Sequence, residues 1–507
     1  MSHSEDNKRL AKNTLVLYFR TIIVTIVSLF TSRVLLKNLG VEDYGIYNVV
    51  GSIVVLFSFL NSALTTSTQR FLTVALGGKN IEKMKLVFST SMTIQVLLTI
   101  LVVVIVESIG PWFLNTRLNI PTDRLGAANI VFQLSILTFA LNVLRVPYNA
   151  TVVAYERLDI FAYISIVDTF CKLLIAYSIS VGSADHLVLY SILLTLESLF
   201  ILLLYRSFCN KKFSTCRYKP IFKKDVFKQM FEFAGWSTFG SFSSIATQNG
   251  VLYILNIFCG VVANAAMGIA NQVVGALNAF VSSFQTSFYP QIIKAYAQGE
   301  HEHLHSLIFR TSKLSYVLML IPSLVLIVNI DLILRVWLTD VPEYANVFCQ
   351  MVLVCATIDA LTGPYYCGIM ATGIIKKYQV AISVSFLIDV VIVYFLLKLG
   401  VSPRYVLIPR IATRGIINML IGLRFLKKQL MFDVSCYVRH SILPISAQLF
   451  IVIPLLHLLK NNLAGWTLLI SSCVLIVILV SITSYYIIFN EHERKSLKLL
   501  LLKHSNS

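Results

Sequence analysis

GKNIEKMKLVFSTS at residues 78–91 returns about 220 positions later as GEHEHLHSLIFRTS at residues 299–312, with Gly, Leu, Phe, Thr and Ser in register. The chain carries an internal duplication. Upstream, Gly40-Val41 answers Gly260-Val261, and Gly45-Ile46, Asn48 and Ser52 face Gly268-Ile269, Asn271 and Gly275. Each copy is about 200 residues long and mostly apolar. Duplicated membrane halves that face each other across a central site are a common plan for transporters, so the repeat bears on function as well as on descent.

Composition sets the class. The 507 residues are 57% hydrophobic and 13% charged, whereas a soluble domain carries about 25% charged residues. Apolar stretches long enough to cross a hydrocarbon core of about 30 Å, which takes about 20 helical residues, recur from Asn13 to Asn490. About fourteen spans are expected, centred near Val24, Leu56, Leu97, Leu134, Thr169, Leu194, Ser244, Leu277, Leu324, Cys355, Asp389, Asn418, Gln448 and Val477. The expected fold is an all-α polytopic membrane protein. Residues 1–210 form a first six-span lobe, 211–229 a basic linker, 230–428 a second six-span lobe, and 429–507 two further spans with a tail. Six is even, so both lobes enter the membrane from the same side, as parallel repeats.

The net charge of +18 does not point to nucleic acid, because the basic residues alternate by loop. Most of them fall in the even-numbered connections and at the termini, which by the positive-inside rule places both termini in the cytoplasm. Residues 206–231 are the most basic stretch, and Phe222, Val226, Phe227, Met230 and Phe231 recur there at helical spacing. That combination predicts an amphipathic helix on an anionic leaflet, or a stop-transfer signal between the halves. The opening MSHSEDNKRLAK has no cleavable-signal pattern. Nine cysteines stand singly and read as small buried hydrophobes. HEHLH at residues 301–305 resembles a metal tract only superficially, since copy one has Asn80, Glu82 and Met84 at the histidine positions.

Polar faces inside the spans are the candidate sites. Asn264, Asn271, Asn278 and Gln285 in the eighth span are seven apart, and drift only about 60° around the helix. They line a tight helix interface or a water-filled cavity, because each unsatisfied polar group facing lipid costs several kcal/mol. In the first span Arg20 shares a face with Thr21, Thr25, Ser28, Thr31 and Ser32. A guanidinium there costs at least about 2.5 kcal/mol on insertion scales and commonly marks a pathway; the alternative is snorkelling to the interface. The seventh span carries Gln248 below three serines, and the twelfth carries Arg410, Arg414 and Asn418. Two arginines one turn apart repel unless an anion or carboxylate lies between them, with Asp359, Asp389 or a bound phosphate as candidates. Asp168 and Lys172 in the fifth span are an i, i+4 pair in the favourable order. Glu197 in the sixth has no local partner.

Three strings carry a resemblance: GVEDYGIYNVVGSIVVLFSFLNSAL with TQRFL (41–73), PYNATVVAYERLDIFAYISI (147–166), and LNIFCGVVANAAMGIANQV with YPQIIKAYAQGE (255–300). With them the chain resembles, over nearly its whole length, the polysaccharide flippases of the MATE-like MOP superfamily, the Wzx or O-antigen and capsule exporter type. The resemblance implies a V-shaped pair of lobes around a cavity that opens alternately to each side. The implied substrate is an undecaprenyl-pyrophosphate-linked oligosaccharide, flipped from the inner to the outer leaflet of a bacterial inner membrane. It further implies cavity-facing polar residues on spans one, two, seven and eight, here Arg20, Asn48, Asn61, Gln248, Asn271 and Asn278.

The expected function is therefore a transporter without bond chemistry or cofactor, with membrane lipids, a polysaccharide polymerase and chain-length proteins as expected partners. Na+ or H+ coupling would fall to Asp168, Glu197, Asp359 or Asp389, with Lys172 as partner. A cation-coupled drug exporter is the alternative, and predicts twelve spans with a cavity rich in aromatics and carboxylates. A membrane glycan polymerase or ligase fits less well, because the external loops are short.

Overall fold

The structure, a computed structural model, describes residues 3–494 except 56–57, 79, 118–120, 180–184, 220–222, 339–340 and 492. No strand occurs among them. A chain in hydrocarbon must satisfy its own backbone N–H and C=O groups, and a helix does so within one segment. Copy one comprises α1 (His3–Val55), α2 (Ser58–Gly77), α3 (Ile81–Arg117), α4 (Leu125–Ala154), α5 (Leu158–Ser178) and α6 (His186–Lys212). Copy two comprises α7 (Lys224–Gln298), α8 (His301–Trp337), α9 (Ala345–Thr372) and α10 (Lys376–Lys398). It closes with α11 (Ile408–Ala412), a π-helical turn (Thr413–Asn418) and α12 (Met419–Leu430), which run on as one stretch. Then come α13 (Val434–Tyr437), α14 (Leu443–Asn462) and α15 (Gly465–Thr483).

Eleven helical stretches among the described residues are long and apolar enough to cross a membrane. Three of the fourteen expected spans lie outside that set. The one near Leu56 runs over residues outside the described ones, and those near Ser244 and Leu277 share α7. As one straight rod the 75 residues of α7 would run about 110 Å, far more than a bilayer core. Gly260 divides the helix instead, at φ 75° and ψ −172°. Gly40 divides α1 in the same way, at φ 77° and ψ 170°. A Cβ on either glycine would meet nothing within 4 Å, so the left-handed torsion and not crowding demands glycine.

The duplication reappears in the elements. α3 and α8 are both 37 residues long. Pro147 in α4 and Pro364 in α9 stand nine residues before a left-handed residue at the helix end, Glu156 (φ 58°) and Gly373 (φ 78°). The loop before the fourth helix is tied to the loop before the sixth in each copy, with the charges exchanged. In copy one Arg124 Nη1 is 2.6 Å from Asp185 Oδ2; in copy two Arg404 is 3.8 Å from Glu343. Arg124 also grips Asp43, and Asp185 caps α6 by accepting from Leu187 N at 3.0 Å and Val188 N at 3.2 Å.

The chain forms two compact units, Asn13–Ser241 and a second built mainly from residue 242 onward. The first has a core of Phe88, Tyr148, Val152, Ile201 and Tyr205 between α3, α4 and α6. Gly110 of α3 lies against the Phe132 ring, where any Cβ would fall 2.1 Å from the ring edge. In the second unit, Ala263, Ala266 and Ala270 of α7 belong to one core with Phe348 and Leu353 of α9. α14 and α15 pack on α8 through Leu320, Val452, Ile476 and Val480, with Asn329 Nδ2 donating to Ser472 Oγ at 2.8 Å.

The basic stretch from Arg206 to Phe231 is not one amphipathic helix. α6 ends at Lys212, a buried 3₁₀ turn follows at Ser214–Cys216, and helix resumes at Lys224. The intervening segment docks on α3, with Lys219 N donating to Ser89 Oγ at 3.2 Å and Tyr218 Oη 3.4 Å from Thr93 Oγ1. Val226, Phe227, Met230 and Phe231 of the expected periodicity lie in the resumed helix, while Tyr218 and Lys219 bind α3 ahead of it.

Candidate functional site

Two polar cavities open within the first unit, both lined by α1, α4, α5 and α6 or by their neighbour α2. On α4, Asn142, Arg145 and Asn149 are three and four residues apart and so lie along one face. On α5, Ser165, Asp168, Thr169 and Lys172 do the same. The larger cavity, about 590 Å³, adds Arg20, Ser28 and Thr31 of α1 and Tyr190 and Tyr205 of α6. The smaller, about 460 Å³, is walled by Asn61, Thr65, Ser135, Thr138, Asn142 and Ser191. Tyr47, Arg145, Asn149 and Lys172 border both.

Charge is concentrated at that shared wall. Arg145 Nη1 lies 3.4 Å from Asp168 Oδ2, and Lys172 forms a close ion pair with Asp168. The side chains of Lys172 and Arg145 are 46% and 24% exposed against 17% for Asp168, so the cations face the open space more than their counter-ion does. Glu197 is buried beside Asp168 and accepts weakly from Ser198 Oγ at 3.4 Å. Arg20 stacks over Phe161 at 5.3 Å, a contact of about 0.5–2 kcal/mol, and its buried Nε has no hydrogen-bond partner. Among the described residues, three cations and one carboxylate line the larger cavity. An arrangement of this kind, with carboxamides and hydroxyls around it, can hold an anion and hydrogen-bond a polyol.

The residues predicted for the second unit divide. Gln248 and Asn278 are exposed and Asn271 is half-buried. Gln285 packs its amide on Gly363 of α9, where a Cβ would sit 2.3 Å from Nε2. The side chains of Asn48 and Asn264 lie outside the described residues. Arg414 pairs with Asp359 and stacks over Phe386 at 5.5 Å, and Thr413 donates to Asp389. Arg410 is buried on the same stretch, its Nε without a hydrogen-bond partner. This cluster sits where the helix adopts its π-helical turn, a feature often found at functional sites. His305 of the HEHLH tract contacts Leu430 O at 2.9 Å and packs on Phe432.

Sequence reasoning missed Arg145. The signal was present as Asn142, Arg145 and Asn149 on one helical face, but the partner of Arg145 is 23 residues away on another helix.

Residues 237–395 match the MatE family model. A crystal structure of a MATE point mutant superposes with a TM-score of 0.73 at 11% identity, covering 83% of this chain and 96% of its own. The fold is that of the MATE transporters. A multidrug resistance MATE family transporter of the MOP superfamily, solved outward-facing, gives 0.69 at 11% identity over 86% of this chain and 97% of its own. A MOP superfamily transporter from Pyrococcus furiosus, described as having a binding pocket of reverse polarity that suggests a different function, gives 0.68 at 12% over 85% and 100%. Among curated proteins, the uncharacterized membrane protein EpsK of Bacillus subtilis (strain 168) is 20% identical over 313 residues, which is 61% of this chain. The match spans 62% of that relative's length.

Proposed function

We propose that this chain is a membrane transporter that flips an undecaprenyl-pyrophosphate-linked oligosaccharide between leaflets of a bacterial inner membrane by alternating access. The observation that carries the proposal is the first-unit cavity, where Arg20, Arg145 and Lys172 meet one lining carboxylate amid asparagines and hydroxyls. Guanidinium and ammonium groups suit a diphosphate, carboxamides and hydroxyls suit a sugar, and the prenyl tail stays in lipid. MATE folds whose pockets differ in polarity lend support, since the MOP transporter of P. furiosus is described in those terms. The resemblance of the three sequence strings to polysaccharide flippases points the same way.

Under this proposal both termini are cytoplasmic, a polysaccharide polymerase and chain-length proteins act downstream, and no bond chemistry occurs. Ion coupling is assigned to Asp168 and Glu197 in the first unit or to Asp359 and Asp389 in the second. The second reading, a cation-coupled drug exporter, has a multidrug resistance MATE transporter as a fold relative. The cavity's charge disfavours it, because that reading predicts a lining rich in carboxylates, whereas among the described residues three cations meet one carboxylate there. Lipid extracted from a strain lacking this chain tests the two. Accumulated diphosphate-linked oligosaccharide with depleted surface glycan is expected; normal glycan with new drug sensitivity would establish the exporter.

A further inference from the structure

The two first-unit cavities share four lining residues, Tyr47, Arg145, Asn149 and Lys172. Arg145 and Lys172 border both spaces, while Asp168, which holds the two cations, borders only the larger. Among the described residues, no carboxylate lines the smaller cavity. We propose that Asp168 is a built-in stand-in for the substrate's anion: it closes an ionic partition between the two cavities when the site is empty, and a multiply charged anion opens that partition by taking Arg145 and Lys172 from it. This rests on reading the chain as the carrier of an anionic lipid head group.

Arg145 and Lys172 are held on the two oxygens of one carboxylate, and without that counter-ion the two like charges would repel. Asp168 supplies it from within the chain, so the empty cavity is stable. A singly charged ligand would merely replace one carboxylate by another charge of equal size, and would leave Asp168 facing Glu197 without a partner. A diphosphate brings more negative charge and several acceptor oxygens, enough to engage Arg145 and Lys172 together with the unpaired Nε of Arg20. Opening the partition joins the space bounded by Arg20 to the one bounded by Asn61, so the head group and the first sugars fit in one chamber. Asp168 is thus a specificity-determining residue that favours multivalent over monovalent anions.

Equilibrium dialysis of labelled inorganic pyrophosphate against the full-length protein in lipid nanodiscs tests this. Asp168→Asn, which keeps shape but removes the competing charge, should bind pyrophosphate at least tenfold tighter than wild type and should also accept nitrate. Arg145→Gln and Lys172→Gln should bind it at least tenfold more weakly. On the wild-type protein alone, pyrophosphate should outcompete nitrate at least tenfold at equal ionic strength, a readout independent of any variant's folding. Wild-type binding that is lost in Arg145→Gln but unchanged in Asp168→Asn would overturn the partition while leaving anion carriage intact. No pyrophosphate binding to either wild type or Asp168→Asn would instead contradict the proposed function itself.

Discussion

Arg20 and Arg145 reach one cavity from different helices, and only one of them was legible in the sequence. Arg20 stood out because a charge in the first span breaks an apolar run beside a stripe of hydroxyls. Asp168 and Lys172 stood out because they are one turn apart. Arg145 belongs to the same ion-pair knot, yet nothing local links it to Asp168, and pairwise spacing cannot show which helices meet. The stacking of Arg20 on Phe161 and its unpaired Nε set a testable expectation. At equal expression, Arg20→Ala should lower surface glycan about tenfold, matching the loss of one charge-assisted contact of about 1.5–3 kcal/mol. Arg20→Lys should retain part of the activity. Export by Arg20→Ala at the wild-type level would remove this residue from the site.

At the scale of elements, hydropathy located the spans well because the bilayer imposes length and composition on each helix. It could not reveal that α1 and α7 each merge two spans at a left-handed glycine, although the match of Gly40 with Gly260 was visible as a repeat. Gly260→Ala should destabilise the protein by about 1–3 kcal/mol, the cost of holding a residue with a Cβ in a backbone region that glycine alone populates readily, although space for the methyl is open. Thermal unfolding in detergent measures this, and an unchanged midpoint would show that the torsion relaxes freely. The helical spacing of Val226, Phe227, Met230 and Phe231 was legible, whereas the docking of Tyr218 and Lys219 was not, because their bonds to Thr93 and Ser89 are tertiary.

The Arg124–Asp185 loop pair of copy one carries a pH dependence. Burial pushes the Asp185 carboxyl up, but the Val188 N–H, Arg124 and the Leu187 N–H outweigh it and hold the group below its usual range. Its folded pKa is therefore lower than its unfolded value of about 3.9. Its contribution to stability is present above that unfolded value and is lost as pH falls through the folded one. Asp185→Asn should flatten acid destabilisation over that window, as read by unfolding midpoints between neutral pH and the acid limb. An acid limb identical to wild type would mean that Asp185 contributes nothing to it.

At the scale of the whole molecule, two copies of one fold have diverged in their charges. The first unit keeps an open, cation-rich cavity. The second pairs Arg414 with Asp359 and holds Asp389 on Thr413 within a π-helical turn. Duplication was readable from the Gly78 and Gly299 strings because both lead into helices of equal length, α3 and α8. The unequal chemistry of the copies was only partly readable, since it depends on contacts between helices far apart in sequence.

Movement of a diphosphate-linked oligosaccharide across a bilayer through the first-unit cavity is tested most directly by leaflet exchange in proteoliposomes. The label is radioactive lipid-linked oligosaccharide isolated from a strain lacking the chain. Wild-type protein should transfer it to the opposite leaflet in proportion to the amount reconstituted, and Arg145→Gln should slow transfer at least tenfold. Transfer no faster than in protein-free liposomes, or equally fast with Arg145→Gln, would contradict the account.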